Sequence, residues 1–183
     1  MNASNLKNIG IIMGGYSHEH EISLKSGMVV YKTLKEYYNC YRLLIKENNW
    51  SLIEENDSLK SIDKESFKVI DYPNLIFDCI FNAIHGTPGE DGKIQKYFND
   101  KKIPITGCNS YQSELTFDKA KCLNFLSSKG IKVAPSITIL KTNKFNLKEI
   151  EKKVGFPCFV KASNSGSSFG VYKVYNQEEF IDC

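Results

Sequence analysis

No apolar run in the sequence approaches the length of about 20 residues that crosses a bilayer. The polar first residues also lack the hydrophobic core of a secretion signal. The six cysteines occur singly, without a Cys-x-x-Cys pair and without nearby histidine partners, which disfavours a zinc site or a disulfide framework. We therefore expect a cytoplasmic protein that has no membrane partner and whose cysteines are reduced.

The sequence also lacks a large excess of positive or negative charge. It has 24 lysines and arginines and 21 aspartates and glutamates, which give a formal net charge of +3. The basic residues are dispersed along the chain, so no basic stripe indicates a nucleic-acid partner. The chain also lacks repeats and low-complexity tracts, and its 42% of hydrophobic residues is typical of folded proteins. Its 183 residues suffice for one ordinary domain or two small ones.

The first part of the chain alternates predicted strands and helices. Apolar runs predict strands at 8–13, 40–45, 75–84 and 103–107. Apolar residues at helical spacing predict helices at 22–34, 90–101 and 110–129. The second of these helices starts with acidic and ends with basic residues, and Gly130 would cap the third. Residues 48–73 are polar and predict only short strands and connections. This alternation favours an open, doubly wound α/β sheet with a ligand crevice at the carboxyl ends of its strands.

The pattern changes towards the end of the chain. Strands are predicted at 157–161 and 171–174, and short helices at 147–154 and 177–182. The two strands flank a loop rich in glycine and serine, so they are expected to form a hairpin rather than a strand-helix unit. This change of pattern indicates a domain boundary near Pro135.

The first candidate site follows the first predicted strand, at Gly14-Gly15-Tyr16-Ser17-His18-Glu19-His20-Glu21. Paired glycines let the backbone turn sharply, and the start of the next helix offers unpaired N–H groups to an anion. Glu19 adds a carboxylate that can bind an ammonium group, so the segment suits a zwitterion. A plain strand-to-helix turn with acidic residues fits the same spacing. The third glycine of the dinucleotide-binding fingerprint is missing.

The second candidate site follows the strand predicted at 75–84, at His85-Gly86-Thr87-Pro88-Gly89-Glu90-Asp91-Gly92. A histidine at a strand end can bind a carboxylate or transfer protons near neutral pH. A histidine that only hydrogen-bonds its own loop, with the two acidic residues capping a helix, fits the sequence equally well.

The third candidate site is Gly166-Ser167-Ser168-Phe169-Gly170, shortly after Lys161. Small side chains expose backbone N–H groups, the hydroxyls add donors, and a lysine at the end of the preceding strand supplies positive charge for a polyphosphate. We interpret Lys161 as an inward charge that would be out of place in a plain surface turn. The segment differs from a Walker loop, in which Gly-Lys-Ser or Gly-Lys-Thr leads into a helix.

Four motifs occur in order along essentially the whole chain. They are Gly-Gly-x-Ser-x-Glu-x-Glu-x-Ser-Leu-x-Ser-Gly at 14–27, His-Gly-x-x-Gly-Glu-Asp-Gly at 85–92, Asp-Lys at 118–119, and Lys-x-Ser-x-x-Gly-Ser-Ser-x-Gly at 161–170. Together they resemble the D-alanine–D-alanine ligases of the ATP-grasp superfamily. The order and spacing of four motifs are far more specific than any one of them.

The resemblance implies the fold and the reaction. An open parallel Rossmann-like (pre-ATP-grasp) sheet is expected over residues 1–117, followed over 118–183 by the start of an α+β ATP-grasp domain. The implied activity is the ATP-dependent ligation of two D-alanine molecules to D-alanyl-D-alanine, through an acyl phosphate, for peptidoglycan synthesis. The implied partners are ATP and D-alanine, and the family usually forms homodimers.

The resemblance also assigns roles to residues by motif position. Glu19 would hold the ammonium group of the first D-alanine, and His85 would lie beside the substrates. Ser167, assigned to catalysis together with Glu19, would hydrogen-bond toward Glu19 and steady its loop. The remaining assignments are to the ATP phosphates, which would be contacted by Lys119, Lys161, Gly166, Ser167, Ser168 and Gly170.

The sequence departs from the family pattern at two points. Ala162 follows Lys161 where the family usually has proline, which would loosen the strand end. The residues that bind Mg²⁺ or Mn²⁺ in the family would lie further along than Cys183, so no metal ligand is assigned here and the chain is expected to be a truncated, inactive part. Two alternatives stay open. One is a non-catalytic module that binds an amino acid or a nucleotide, and the other is a ligase that joins D-alanine to D-serine or D-lactate.

Overall fold

The computed structural model describes residues 6–141 and 145–183. The chain forms two compact units, Met1–Glu114 and Leu115–Cys183. Within the described ranges, no helix is long and apolar enough to cross a membrane.

The first unit is a six-stranded sheet with helices. Its strands are β1 (Asn8–Gly14), β2 (Asn39–Ile45), β3 (Trp50–Ile53), β4 (Leu59–Asp63), β5 (Lys68–Val69) and β6 (Cys79–Asn82). Its helices are α1 (His20–Leu34), α2 (Lys93–Asp100) and the beginning of α3 (Ser110–Phe117). The strand order is β5-β4-β3-β2-β1-β6, so the two strands that precede the first two candidate sites are neighbours.

One side of the sheet is parallel and the other side is antiparallel. β1 pairs in parallel with β2 on one side and with β6 on the other, whereas β2 to β5 pair antiparallel in succession. The α/β class predicted from the sequence is confirmed, and the predicted parallel pairing is found over β2, β1 and β6. The polar stretch at 48–73, for which only short strands were expected, forms the antiparallel part.

Strand β1 is apolar because both of its faces are covered. Ile11 and Ile12 are 0% exposed although they point to opposite faces. Ile12 belongs to a core rich in aromatic residues, in which the rings of Phe67 and Phe98 meet edge to face with centroids 4.7 Å apart. Ile11 belongs to a core on the other face, where α1 contributes partly buried side chains such as Leu24. This two-sided burial is typical of a central parallel strand.

Four predicted elements differ in the structure. The strand predicted at 75–84 is shortened to β6, Cys79–Asn82. The strand predicted at 103–107 is reduced to one isolated bridge, between Ile80 and Ile105. The helix predicted from 90 begins only at Lys93, because the preceding residues form a loop that ends at Gly92 with φ 86°. Its first turn therefore contains no acidic residue and its last turn no basic residue, so the predicted match to the helix dipole is wrong.

The helix predicted at 110–129 is divided into α3 and α4 (Lys119–Ser128) by Asp118. Asp118 has an extended backbone, and its side chain accepts a hydrogen bond from the N–H of Lys121, so it caps a new helix. At the other end, Gly130 has φ 77° and its N–H donates to the carbonyl of Ser127. The N–H of Ile131 donates to Leu126, which completes a Schellman motif and confirms the predicted cap.

The second unit continues with α5 (Leu147–Lys153), β7 (Cys158–Lys161), β8 (Val171–Val174) and α6 (Gln177–Ile181). β7 and β8 pair antiparallel, so the predicted hairpin is confirmed. The helices pack on one face of the hairpin around a small core of Ile150, Cys158, Val174 and Phe180. The opposite face, which carries Phe159 and Lys161, is exposed. The interpretation of Lys161 as an inward charge is therefore wrong.

Candidate active site

The first two candidate sites lie together at the carboxyl ends of β1 and β6. The N–H of Tyr16 donates to the carbonyl of Thr87 at 3.1 Å, and the hydroxyl of Ser17 donates to the carbonyl of His85 at 2.8 Å. Because β1 and β6 are adjacent and parallel, their loops leave the sheet at the same edge. The structure therefore combines in one place two motifs that are far apart in the sequence.

The turn after β1 depends on its paired glycines. Gly14 and Gly15 have φ values of 95° and 82°, in the region that side chains other than hydrogen disfavour. The N–H of Gly15 donates to the carbonyl of Ile45 at the end of β2. The Nδ1 atom of His20 lies 2.7 Å from the carbonyl oxygen of Gly15. These contacts fix the direction in which the chain enters α1.

Glu19 lies directly before α1 and is half-buried. Its N–H donates to the Ser17 hydroxyl at 3.2 Å, within the turn. A Cβ atom added to Gly86 would lie 3.1 Å from Oε2 of Glu19, so this carboxylate lies directly against the backbone of the His85 loop. The geometry places an acidic side chain beside a loop that begins with histidine.

His85 is half-buried, and its Nε2 atom lies 2.9 Å from the hydroxyl oxygen of Ser26 on α1. The loop after it is held by its own acidic residues. Glu90 accepts a hydrogen bond from the N–H of Gly86 at 2.9 Å, and Asp91 accepts one from the hydroxyl of Thr87 at 2.9 Å. The acidic residues therefore shape the loop, whereas the alternative interpretation is wrong, because the N-cap of α2 is Gly92 and the His85 ring contacts α1 rather than its own loop.

The rim of this loop carries an ion pair beside a tyrosine. Lys93 and Asp91 are 2.7 Å apart, and the hydrogen bond between them raises the pKa of the lysine. Burial raises the pKa of Tyr16, although the charge of Lys93 opposes the shift. Tyr16 therefore remains a neutral phenol at neutral pH.

Ser23, a member of the motif at 14–27 to which the sequence assigned no role, connects the two strand ends beneath the loops. Its hydroxyl accepts a hydrogen bond from the N–H of Gly14 at 2.8 Å and donates one to the carbonyl of Ala83 at 2.8 Å. The residue is 0% exposed. One buried hydroxyl thus joins the residues that precede each loop.

Replacing Ser23 by alanine should lower the free energy of unfolding by about 2 kcal/mol, because the buried N–H of Gly14 and the carbonyl of Ala83 lose their partner. Urea unfolding followed by circular dichroism measures this change. The matched control is Ser128→Ala, which removes a hydroxyl that donates to the Phe125 carbonyl at an exposed helix end. Equal losses in both variants would contradict a special role for Ser23.

The second unit contains the third candidate site, the loop between β7 and β8. The N–H of Ala162 donates to the carbonyl of Gly170 at 3.1 Å, and the N–H of Phe169 donates to Gly166 at 3.0 Å. Ser167 and Ser168 have φ values of 46° and 60°. Two successive serines in this left-handed region are uncommon, and such backbone strain concentrates at ligand-binding sites.

Asp118 and Lys119 hold the base of this loop. The ammonium group of Lys119 donates to the carbonyls of Ser165 at 2.6 Å and Ser163 at 3.3 Å. The hydroxyl of Ser163 donates to Asp118 at 2.8 Å. Lys161 is exposed at the start of the loop, with its ammonium group 5.3 Å from the centre of the Phe159 ring. Both predicted phosphate-binding lysines thus lie on the β7 side of the same loop.

Hydrogen bonds make the stability of this region sensitive to acid. The N–H of Lys121 lowers the pKa of Asp118, and the Ser163 hydroxyl adds to the effect. The stabilisation is fully present above the unfolded pKa of about 3.9 and is lost as the pH falls through the lower folded value. Below about pH 4, the melting temperature of Asp118→Asn should fall less steeply with decreasing pH than the melting temperature of the wild type. The control is Asp182→Asn, at an exposed position after α6, which should leave the pH dependence of the melting temperature as in the wild type.

A metal site does not fit the residues that the structure describes. Over 6–141 and 145–183, no group of three or more histidine, cysteine, aspartate or glutamate side chains is placed to hold a metal ion. We therefore assign no step of a reaction to a metal on these residues.

Comparison with known families decides what these loops belong to. Residues 8–108 match the family described as D-ala D-ala ligase N-terminus, and residues 125–183 match D-ala D-ala ligase C-terminus. The chain belongs to the D-alanine–D-alanine ligase family. The family resemblance inferred from the four motifs is confirmed.

Individual members of the D-alanine–D-alanine ligase family are similar over nearly the whole chain. A D-alanine–D-alanine ligase of Flavobacterium johnsoniae is 49% identical over 95% of this chain and 54% of its own length. The chain thus spans about half the length of this curated relative. The structure of the VanG D-Ala:D-Ser ligase of Enterococcus faecalis is 29% identical, with a TM-score of 0.80, and is matched over 97% of this chain and 58% of its own.

A third similar protein carries a nucleotide. The D-alanine–D-alanine ligase of Bacillus anthracis, solved in complex with ATP, is 29% identical, with a TM-score of 0.74. The match covers 98% of this chain and 52% of that one. These structures confirm the predicted fold class of this ligase-family chain.

The predicted site residues fall into two groups, one in each unit. Glu19 and His85 lie in adjoining loops of the first unit. In the second unit, Lys119 contacts the loop between β7 and β8, and Lys161 lies at the start of that loop. The loop also contains the other predicted residues, Gly166, Ser167, Ser168 and Gly170. The hydrogen bond predicted from Ser167 to Glu19 concerns residues of different units and stays a prediction. Ser23 and Ser26 were missed as members of the site, although both belong to the serine pattern of the motif at 14–27.

Proposed function

We propose that the full-length protein containing this chain joins two D-alanine molecules to D-alanyl-D-alanine with the use of ATP, for peptidoglycan synthesis. The observation that carries the proposal is the placement of the Glu19 carboxylate against the backbone of the His85 loop, within 3.1 Å of the position of an added Cβ at Gly86. The family membership of the chain supports the reaction class.

In this proposal the first unit binds the first D-alanine. Glu19 accepts hydrogen bonds from the ammonium group, because a half-buried carboxylate forms a strong charge-assisted pair with it. His85 lies beside the substrate and donates to its carboxylate. The two contacts hold opposite ends of the zwitterion and so orient the carboxylate that is to be activated.

The loop of the second unit holds the phosphates of ATP. Lys161 supplies charge, the backbone N–H groups around Ser168 supply donors, and Lys119 holds the loop at Ser165 with an ammonium group that also faces the phosphates. When bound, ATP supplies the phosphoryl group that turns the substrate carboxylate into an acyl phosphate. The contribution of the chain is then positioning and charge neutralisation, on which phosphoryl transfer mainly depends. The ATP complex of the Bacillus anthracis relative supports ATP as the nucleotide.

Further parts of the proposal extend beyond the described residues. We place the ligands of Mg²⁺ or Mn²⁺ in the portion of the relatives that this chain does not cover, because the described residues offer no metal site. We also place the domain boundary between residues 117 and 118, which agrees with family matches that end at 108 and resume at 125. Homodimerisation and a cytoplasmic location stay predictions.

The proposal is tested by assaying phosphate release and dipeptide formation with ATP, magnesium and D-alanine. We expect both products from the full-length protein and neither from this chain alone. Full-length protein that releases no phosphate in response to D-alanine would overturn the ligase function. Binding of D-alanine without phosphate release would favour the alternative of a non-catalytic module. Turnover by the short chain would show that it contains a complete active site.

A second candidate is a ligase that adds D-serine to D-alanine. The likeness to the VanG D-Ala:D-Ser ligase, with a TM-score of 0.80, supports this candidate. The two candidates are distinguished by offering the full-length protein D-alanine together with D-serine or D-lactate and identifying the products by mass spectrometry. If the mixed product with D-serine exceeds D-alanyl-D-alanine, the second candidate replaces the first.

A further inference from the structure

The three serines of the motif at 14–27 all contact the segment that follows β6. The hydroxyl of Ser17 donates to the carbonyl of His85 at 2.8 Å, and the hydroxyl of Ser23 donates to the carbonyl of Ala83 at 2.8 Å. Ser26 lies 2.9 Å from Nε2 of His85. Two of the serines thus hold the backbone, and the third contacts the imidazole ring itself.

Glu19 lies directly before the first residue of α1, and Ser26 lies within the first half of the same helix. A hydroxyl inside a helix commonly donates to a carbonyl of the preceding turn. Thr33 does so on the same helix, where it donates to Val29 at 3.0 Å. The hydroxyl oxygen of Ser26 lies instead 2.9 Å from Nε2 of His85. The helix that begins at the candidate ammonium site therefore also contacts the imidazole ring of the neighbouring histidine.

We propose that Ser26 is a positioning residue that holds His85 in the tautomer with its proton on Nδ1, so that this nitrogen donates to the carboxylate of the bound amino acid. A neutral imidazole has one donor and one acceptor nitrogen. If the Ser26 hydroxyl donates to Nε2, the proton of the ring is on Nδ1. A carboxylate only accepts hydrogen bonds, so a donor at Nδ1 suits it. The proposal rests on the proposed function for the identity of the ligand.

The tautomer is tested by ¹⁵N NMR of the side-chain nitrogens in this chain, which contains three histidines. The variant His85→Gln assigns the signals of His85. We expect an unprotonated Nε2 in the wild type, and a change of the His85 signals in Ser26→Ala but not in the control Thr33→Ala, which removes a hydroxyl from the same helix. A protonated Nε2 in the wild type, or His85 signals that Ser26→Ala leaves unchanged, would overturn the proposal.

The consequence for binding is tested in the full-length enzyme. Ser26→Ala should raise the KM for D-alanine about three- to tenfold, the effect of one lost hydrogen bond, with little change in kcat or in the KM for ATP. Ser26→Thr, which retains the hydroxyl, should restore most of the affinity. An unchanged KM for D-alanine in Ser26→Ala would contradict the positioning role. Wild-type enzyme that does not use D-alanine would instead refute the proposed function, while the NMR result would still decide whether Ser26 sets the tautomer.

Discussion

Full-length enzyme with Glu19→Gln is expected to lose at least about 100-fold in kcat/KM for D-alanine while remaining folded. The substitution keeps the size of the side chain but removes the charge that would pair with the substrate ammonium group. Removing one partner of a desolvated charge pair is costly because the other charge is left without compensation. Glu19 is half-buried and lies against the His85 loop, where this cost applies.

The matched control for this experiment is Glu21→Gln. Glu21 lies in the first turn of α1 and is exposed, so the variant loses the same charge near the same helix end. Dipeptide formation is measured for both variants over a range of D-alanine concentrations, and circular dichroism shows whether each is folded. Normal turnover in Glu19→Gln, or an equal loss in Glu21→Gln, would remove Glu19 from the proposed substrate site.

Substituting Gly86 by alanine should destabilise the protein by about 3 kcal/mol and raise the KM for D-alanine. Part of the effect is conformational, since Gly86 has φ 68°. The larger part is steric, because the new Cβ atom would lie 2.8 Å from Cβ of Ser17, an atom that no side-chain rotation can move away. The same Cβ would lie 3.1 Å from Oε2 of Glu19 and so displace the carboxylate.

Gly130→Ala separates the conformational from the steric effect. Gly130 has a similar φ of 77°, but an added Cβ would meet no atom within 4 Å. We expect a loss of about 1 kcal/mol in this control and an unchanged KM for D-alanine in the full-length enzyme. Urea unfolding gives the free energies, and steady-state assays give the KM values. Equal destabilisation by the two substitutions would show that Gly86 does not closely approach the Ser17 turn.

Local patterns predicted the elements whose side chains repeat regularly. The apolar run of β1, the spacing in α1 and the two strands of the hairpin were all placed within a few residues of their observed limits. The antiparallel strands β3 to β5 were expected only as short strands. In β4 the burial alternates, but the two apolar residues, Leu59 and Ile62, are three positions apart, so the sequence lacks the apolar alternation that marks a strand.

The break at Asp118 shows a second limit. An aspartate inside a run of helical spacing can continue the helix or cap a new one, and the choice depends on what its carboxylate binds. Here it accepts hydrogen bonds from Lys121 nearby and from Ser163, which is 45 residues further along. The second of these partners cannot be read from the local sequence.

The sequence alone determined the family, the order of its motifs and the residue types that each candidate site offers. Residue type and spacing suffice for this because glycine turns, carboxylates and lysines have definite local chemistry. Only the tertiary structure decided that the loops of Glu19 and His85 adjoin, and that Ser26 contacts the imidazole of His85 across a separation of 59 residues. These contacts arise because β6 pairs with β1 in a fixed register, and strand order and register depend on the packing of the whole sheet.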